Sequence, residues 1–221
     1  MIVYATLPGG RYVPFAEGLA ASPAGASLAA YANLTNRCNC ACTFCLRGKK
    51  DMRAEASLWL GGREPSEVEV WAELAALPRE RVSEVVFCGF GEPTLRLDAL
   101  LGLLRRIKAA HPDLPTRLNT NGLAELERGG PVAPLFEGLL DTVSISLNAS
   151  TPERYLALTR ARFGLPSWEG MLAFAEHCRA YVPRVVLTVV DHVEDAAEIE
   201  ACRALCEARG LELRVRAYED S

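Results

Sequence analysis

Apolar positions along this chain fall into two alternating rhythms. Short runs rich in β-branched and apolar residues predict strands at Leu28–Leu34, Glu84–Cys88, Thr116–Asn119, Thr142–Asn148, Arg184–Val190 and Leu211–Tyr218. Between them the period lengthens to that of a helix. EPSEVEVWAELAAL carries Ser66 and Glu69 at capping-box spacing ahead of Val70, Trp71 and Leu74. LDALLGLLRRIKAAH is an amphipathic helix stopped by Pro112, and STPERYLALTR starts with Pro152 in its first turn. Further helices are expected at Val132–Leu140, Ser167–Tyr181 and Asp195–Arg209, the last closed by Gly210. Asn121-Gly122 reads as a turn.

Six strands alternating with helices, without internal repeats, predict an α/β fold with a parallel sheet and right-handed crossovers. Six units are too few to close a full barrel. The expectation is therefore a partial (β/α)6 TIM-like barrel over residues 28–221, with residues 1–27 as an N-terminal extension outside the pattern. In such folds ligands sit at the C-terminal ends of the strands. The unusual loops, NRCNCACTFCLR, FGEPT, TNG and SLNAS, all follow expected strands and so land on one face.

Composition narrows the class. Of 221 residues half are apolar, and 24 basic side chains against 28 acidic ones give a net charge of −4. That is no footprint for non-specific nucleic-acid binding. No run is long enough for a membrane span, and the N-terminus lacks the pattern of a secretory signal, so a cytoplasmic protein is expected. In that compartment eight cysteines are not a disulfide framework; a close group of them is metal-binding or catalytic.

Cys38, Cys40, Cys42 and Cys45 lie in one loop. Thiolates suit zinc or iron–sulfur. A structural zinc site usually draws on two well-separated pairs, and no second pair is near. Without Cys40 the spacing is C-x3-C-x2-C. Three cysteines can ligate three irons of a [4Fe–4S] cube and leave the fourth open, as a catalytic site requires. Cys40 is then a bystander between ligands.

Cys38, Cys42 and Cys45, with Phe44 before the last, resemble the signature of the radical S-adenosylmethionine (radical SAM) enzymes. The resemblance implies a [4Fe–4S] cluster on these cysteines, with SAM chelating the open iron and Phe44 near the adenine. It implies reductive cleavage of SAM to a 5′-deoxyadenosyl radical that takes hydrogen from a substrate. GFGEPTL resembles the family's GGEP motif, with Gly91, Glu92 and Pro93 carrying the match and Phe90 in place of the first Gly. There the motif's backbone and acidic side chain hold the SAM ammonium. RLNTNG resembles the third-strand loop of glycyl-radical activating enzymes, and SISLNAS sits where the family meets the ribose. By that resemblance Ser146 and Asn148 contact the ribose, with Asn119 and Asn121 as polar contacts nearby. The wider string NLTNRC, LWLGGREPS, VVFCGFGEPTLRLD, RARFG and VVLTVVD is similar to the TatD-associated radical SAM proteins, over about residues 32–218.

Other residues carry weaker signals. Cys178, Cys202 and Cys206 are expected in the core rather than on an auxiliary cluster, and Cys88 likewise. Arg37, Arg47, Lys49, Lys50 and Arg53 surround the cysteine loop and would suit an acidic reductant such as flavodoxin or ferredoxin. Arg214 and Arg216 face one side of the last strand, where a carboxylate of substrate or SAM is as good a partner as a surface ion pair. Two rival classes use the same cysteines: a non-enzymatic iron–sulfur electron carrier and a zinc-stabilised binding module. The substrate, small or macromolecular, is not specified by any motif.

Overall fold

The computed structural model describes residues 1–48 and 57–218. One sheet organises it. Strands β1 (Val3–Leu7) and β2 (Arg11–Pro14) form an N-terminal hairpin. They are followed by β3 (Leu28–Ala32), β4 (Val82–Phe87), β5 (Thr116–Thr120), β6 (Thr142–Ser146), β7 (Arg184–Val190) and β8 (Glu212–Arg216). The spatial order is β2-β1-β3-β4-β5-β6-β7-β8, parallel from β3 to β8 and antiparallel at β1. Crossovers carry helices α2 (Glu67–Ala75), α3 (Leu97–Ala110), α4 (Ala124–Arg128), α5 (Pro152–Thr159), α6 (Pro166–Cys178) and α7 (Ala196–Ala208). The six parallel strands are those expected from the sequence.

Sequence order equals spatial order from β3 to β8, so successive right-handed crossovers all lie on one side of the sheet. That side is apolar. Phe87, Leu118, Val143, Ile145 and Leu187 are fully buried there against helices such as α3, whose Leu100, Leu103, Leu104 and Ile107 recur at helical spacing. The opposite, concave face is polar: Glu84, Arg117, Asn119, Ser144, Thr188 and Arg214 alternate with the core residues along their strands. The two outer strands of the sheet, β2 and β8, pair with no further strand among the described residues, so the barrel is open between them.

Residues 1–27, expected outside the pattern, contain β1, β2 and helix α1 (Phe15–Ala20) and lengthen the sheet beside β3. The Pro8-Gly9-Gly10 turn works because both glycines take positive φ, 77° and 70°. Tyr4 stacks on Tyr31 of β3 at 5.1 Å and meets Tyr12 edge-on at 5.5 Å, so the hairpin docks through an aromatic cluster. Two smaller differences lie between β5 and β6. The helix expected at Val132–Leu140 is only a 3₁₀ turn at Ala133–Phe136, and α4, unexpected, is stopped by Gly129 at φ 69°. Five residues are too few for a period to show.

The capping box forms as read: Ser66 Oγ accepts from Glu69 N at 3.2 Å, and Glu69 Oε2 accepts from Ser66 N at 2.8 Å. Ser66→Ala is expected to lower stability by about 1 kcal/mol in urea unfolding. An unchanged midpoint would show that α2 is held by packing alone.

Candidate functional site

The cysteine loop leaves β3 and is stitched to the far end of α5. Ala41 N donates to Thr159 O and Thr43 N to Leu158 O, both at 2.9 Å, and Arg162 N donates to Asn39 O at 2.9 Å. These bonds give an otherwise irregular loop one backbone path. Cys38, Cys42 and Cys45 are partly exposed; Cys40 is buried and packs into the core. The Cys40 thiol lies between Cys38 and Cys42. Its hydrogen bonds to both lower their pKa values and raise its own, while burial raises that of Cys45. Among the described residues no three His, Cys, Asp or Glu side chains gather closely enough for a single metal ion. A cube asks instead for one sulfur at each of three irons, and three partly exposed thiols on one loop fit that donor set.

The loop after β4 is pressed against the cysteine loop. At Gly91 a Cβ would run into the carbonyl oxygens of Thr35 and Arg37, the latter at 2.5 Å. Glu92 N donates to the same Arg37 carbonyl at 2.8 Å. The Glu92 side chain turns inward and is 3% exposed. Its Oε1 accepts from Thr94 N at 3.0 Å and from the Thr94 and Thr120 hydroxyls at 2.8 Å; Oε2 accepts from Asn121 N at 2.8 Å. Burial raises its pKa against the pull of those donors. The carboxylate is therefore a bracket between the loops after β4 and β5. Oε1 takes three of these donors and Oε2 one, which leaves Oε2 a further lone pair beside the loop backbone.

Asn121 is also committed to protein. Its Nδ2 donates to Asn39 Oδ1 at 2.6 Å and lies 3.5 Å from Cys40 Sγ, while its Oδ1 accepts from Leu123 N at 3.1 Å. These bonds tie the loop after β5 to the cysteine loop. Asn119, on the concave face, has a buried Oδ1 without a partner among the described residues. Asn148 is buried with φ 63°, a left-handed conformation that Asn tolerates. Phe44 and Ser146 line a cavity of about 240 Å³ that also touches Cys45, Phe90 and Arg216. Phe90, in place of the motif's first Gly, packs with Tyr4 and Leu58, with Leu46 of the cysteine loop against the same cluster, and meets Trp59 edge-on at 5.3 Å. Pro93 is buried in the 3₁₀ turn Pro93–Arg96.

Thr94 and Thr120 were missing from the sequence reading. A hydroxyl two residues after Glu92 and one beside Asn121 are the only signals they leave. Cys178, Cys202 and Cys206 are core residues at 0–1% exposure, and burial pushes Cys202 up to about 12 and Cys206 to about 11. Cys88, expected in the core, instead lines the cavity, because it falls on the concave face. Arg37 is paired with Glu64 at 2.7 Å, and Arg47 donates to Asn36 O at 3.0 Å. Lys49, Lys50 and Arg53 lie outside the described residues.

Gly91→Ala is expected to cost roughly 3 kcal/mol and to displace the cysteine loop. Iron content after anaerobic reconstitution should fall severalfold, whereas Gly48→Ala, with open space around its Cα, should load normally. Equal iron in both variants would refute the contact.

The model of the radical SAM superfamily matches residues 32–206. A GTP 3′,8-cyclase of Paenarthrobacter nicotinovorans is 31% identical over 133 residues, 59% of this chain and 34% of that protein. GTP 3′,8-cyclase 2 of Mycobacterium bovis is 31% identical over 187 residues, 83% of this chain and 48% of that protein. The chain thus spans a third to a half of the length of these curated relatives. The solved structure of a radical SAM methyltransferase from Sphaerobacter thermophilus superposes with a TM-score of 0.63 at 17% identity, covering 86% of this chain and 66% of that one, a likeness of fold. No helix among the described residues is long and apolar enough to cross a membrane. With a family model spanning most of its length and the three thiols and glycine-tight loop in place, the chain belongs to the radical SAM superfamily, enzymes whose cofactors are a [4Fe–4S] cluster and S-adenosylmethionine.

Proposed function

We propose that this protein abstracts hydrogen from a polar substrate held against the concave face of its barrel. The observation that carries the reading is a juxtaposition: the cysteine loop, the Gly91 loop and the loop after β5 meet at the strand ends, directly above a polar inner face. Cys38, Cys42 and Cys45 would hold the irons. Phe44 would lie along the adenine, the backbone at Gly91 would meet the methionine portion, and Ser146 and Asn148 would meet the ribose. Bound there, the cofactors supply reductive cleavage of the sulfonium and a 5′-deoxyadenosyl radical. The protein's own part is positioning and exclusion of water, with Glu92 and Asn121 fixing the loops that carry the ligands.

Similarity of the strings from NLTNRC to VVLTVVD supports membership of the TatD-associated subgroup. The similarity to GTP 3′,8-cyclases favours a second reading, a nucleoside triphosphate substrate. A cytoplasmic flavodoxin or ferredoxin is the proposed reductant, drawn by the basic residues from Arg37 to Arg53. An electron carrier would have no use for the Gly91 and Asn121 loops.

Anaerobically reconstituted protein with SAM and dithionite should yield methionine and 5′-deoxyadenosine in equal amounts. A brown protein that leaves SAM intact would support the electron carrier, and a colourless zinc protein would support the binding module. Single alanine variants of Cys38, Cys42 and Cys45 should lose the brown cluster absorbance. Cys40→Ala should keep it, at a cost of about 1 kcal/mol for the lost packing. Loss of the cluster in Cys40→Ala would mean a fourth sulfur on the cube and no open iron.

A further inference from the structure

The concave face carries more positive charge than it neutralises. Arg117 pairs with Glu84 at 2.8 Å, and Arg184 with Glu212 at 2.5 Å. Arg214 and Arg216, two residues apart on β8 and so on the same side, meet no carboxylate at ion-pair distance among the described residues. Arg214 reaches across β7: its register partner there is Thr188, and its Nη2 donates to Ser144 Oγ on β6 at 3.3 Å. Among the described residues its Nε–H is buried without an acceptor. In register with Ser144, on β5, stands Asn119, whose Oδ1 is likewise buried without a donor among the described residues.

A buried polar group left unpaired costs about 1–3 kcal/mol. Two on one row, a donor and an acceptor flanking a hydroxyl, suit a ligand that brings one of each. Burial and the neighbouring guanidiniums of Arg117, Arg216 and Arg184 lower the pKa of Arg214, so an anion among them relieves the strain of like charge. Arg216 opens the row to the outside, since it lines the 240 Å³ cavity that reaches Cys45 and Ser146.

We propose that Arg214 and Arg216, with Ser144 and Asn119, form a substrate site inside the barrel that takes the phosphate or carboxylate end of an anionic substrate. The inference deepens the reading above and rests on it, in that the substrate lies against the concave face. Guanidinium groups bind both anions in bidentate fashion, and Asn119 takes a hydroxyl or amine beside the anion.

Reconstituted protein saturated with SAM is titrated by calorimetry with inorganic pyrophosphate and, separately, with succinate. One of the two is expected to bind saturably, which decides between phosphate and carboxylate. Its affinity should fall about tenfold or more in Arg214→Gln and in Arg216→Gln, and less in Arg214→Lys. The affinity for SAM should change by less than about twofold in the same variants. On the unmutated protein, the binding anion should protect Arg216 from phenylglyoxal, followed by peptide mass spectrometry, so a misfolded variant leaves the question decided. Neither anion binding nor protecting would overturn the site. So would a tenfold loss of SAM affinity, which would assign the arginines to SAM itself. Because neither readout needs turnover, failure to cleave SAM would count against the proposed reaction and not against this site.

Discussion

The buried carboxylate of Glu92 holds the functional end of this molecule together. A carboxyl with 3% exposure is costly to place in a protein interior, and what offsets the cost is a set of donors from Thr94, Thr120 and Asn121. Because those donors come from two different loops, satisfying the charge also fixes the loops to each other. The next link is backbone: Glu92 N to Arg37 O, with Gly91 allowing the chains to approach that closely. Asn121 then reaches Asn39 in the cysteine loop. Three loops from three strands share one network, so the thiols of Cys38, Cys42 and Cys45 inherit their placement from a carboxylate that touches none of them.

What lies beneath that network follows from winding. A sheet whose strands are added one after another in a single direction receives its helices on one face only. The apolar residues of β4 to β7 go to that face, and the alternate positions are released from the demands of a core. They have become Glu84, Arg117, Asn119, Ser144, Thr188 and Arg214, an interior able to hold polar ligands. Six parallel strands leave the barrel open at its side, and the two-strand hairpin extends the sheet from β3 with Tyr4 and Tyr12 on the concave side of the opening. Phe90 is intelligible in that light. A side chain where the family motif has glycine is tolerated because the hairpin offers it Tyr4 to pack against.

Much of this was legible in the residues themselves. Strong periods marked the six parallel strands and the long helices, since each signals its own geometry through nearest neighbours. The spacing of Cys38, Cys42 and Cys45 named the donor set for the same reason: a short loop brings its own residues together whatever surrounds it. Gly91 was legible as a motif position, although the carbonyls of Thr35 and Arg37 that require it lie more than fifty residues earlier in the chain. The hairpin was not legible. Its strands are four and five residues long, and their partner, β3, identifies them as part of the sheet only when they pair.

The sequence by itself determined which elements form, in what order, and which side chains can bind iron, because those properties depend on contacts within a few residues. Tertiary structure decided which polar residues face a ligand and which are consumed by the protein. Glu92, Asn119 and Asn121 look equally suited to a ligand as letters, yet two are tied to other loops by protein partners and one keeps a buried acceptor without a donor among the described residues. The physical reason is that hydrogen-bonding capacity is finite, and whether a donor has been spent depends on residues brought near from distant parts of the chain.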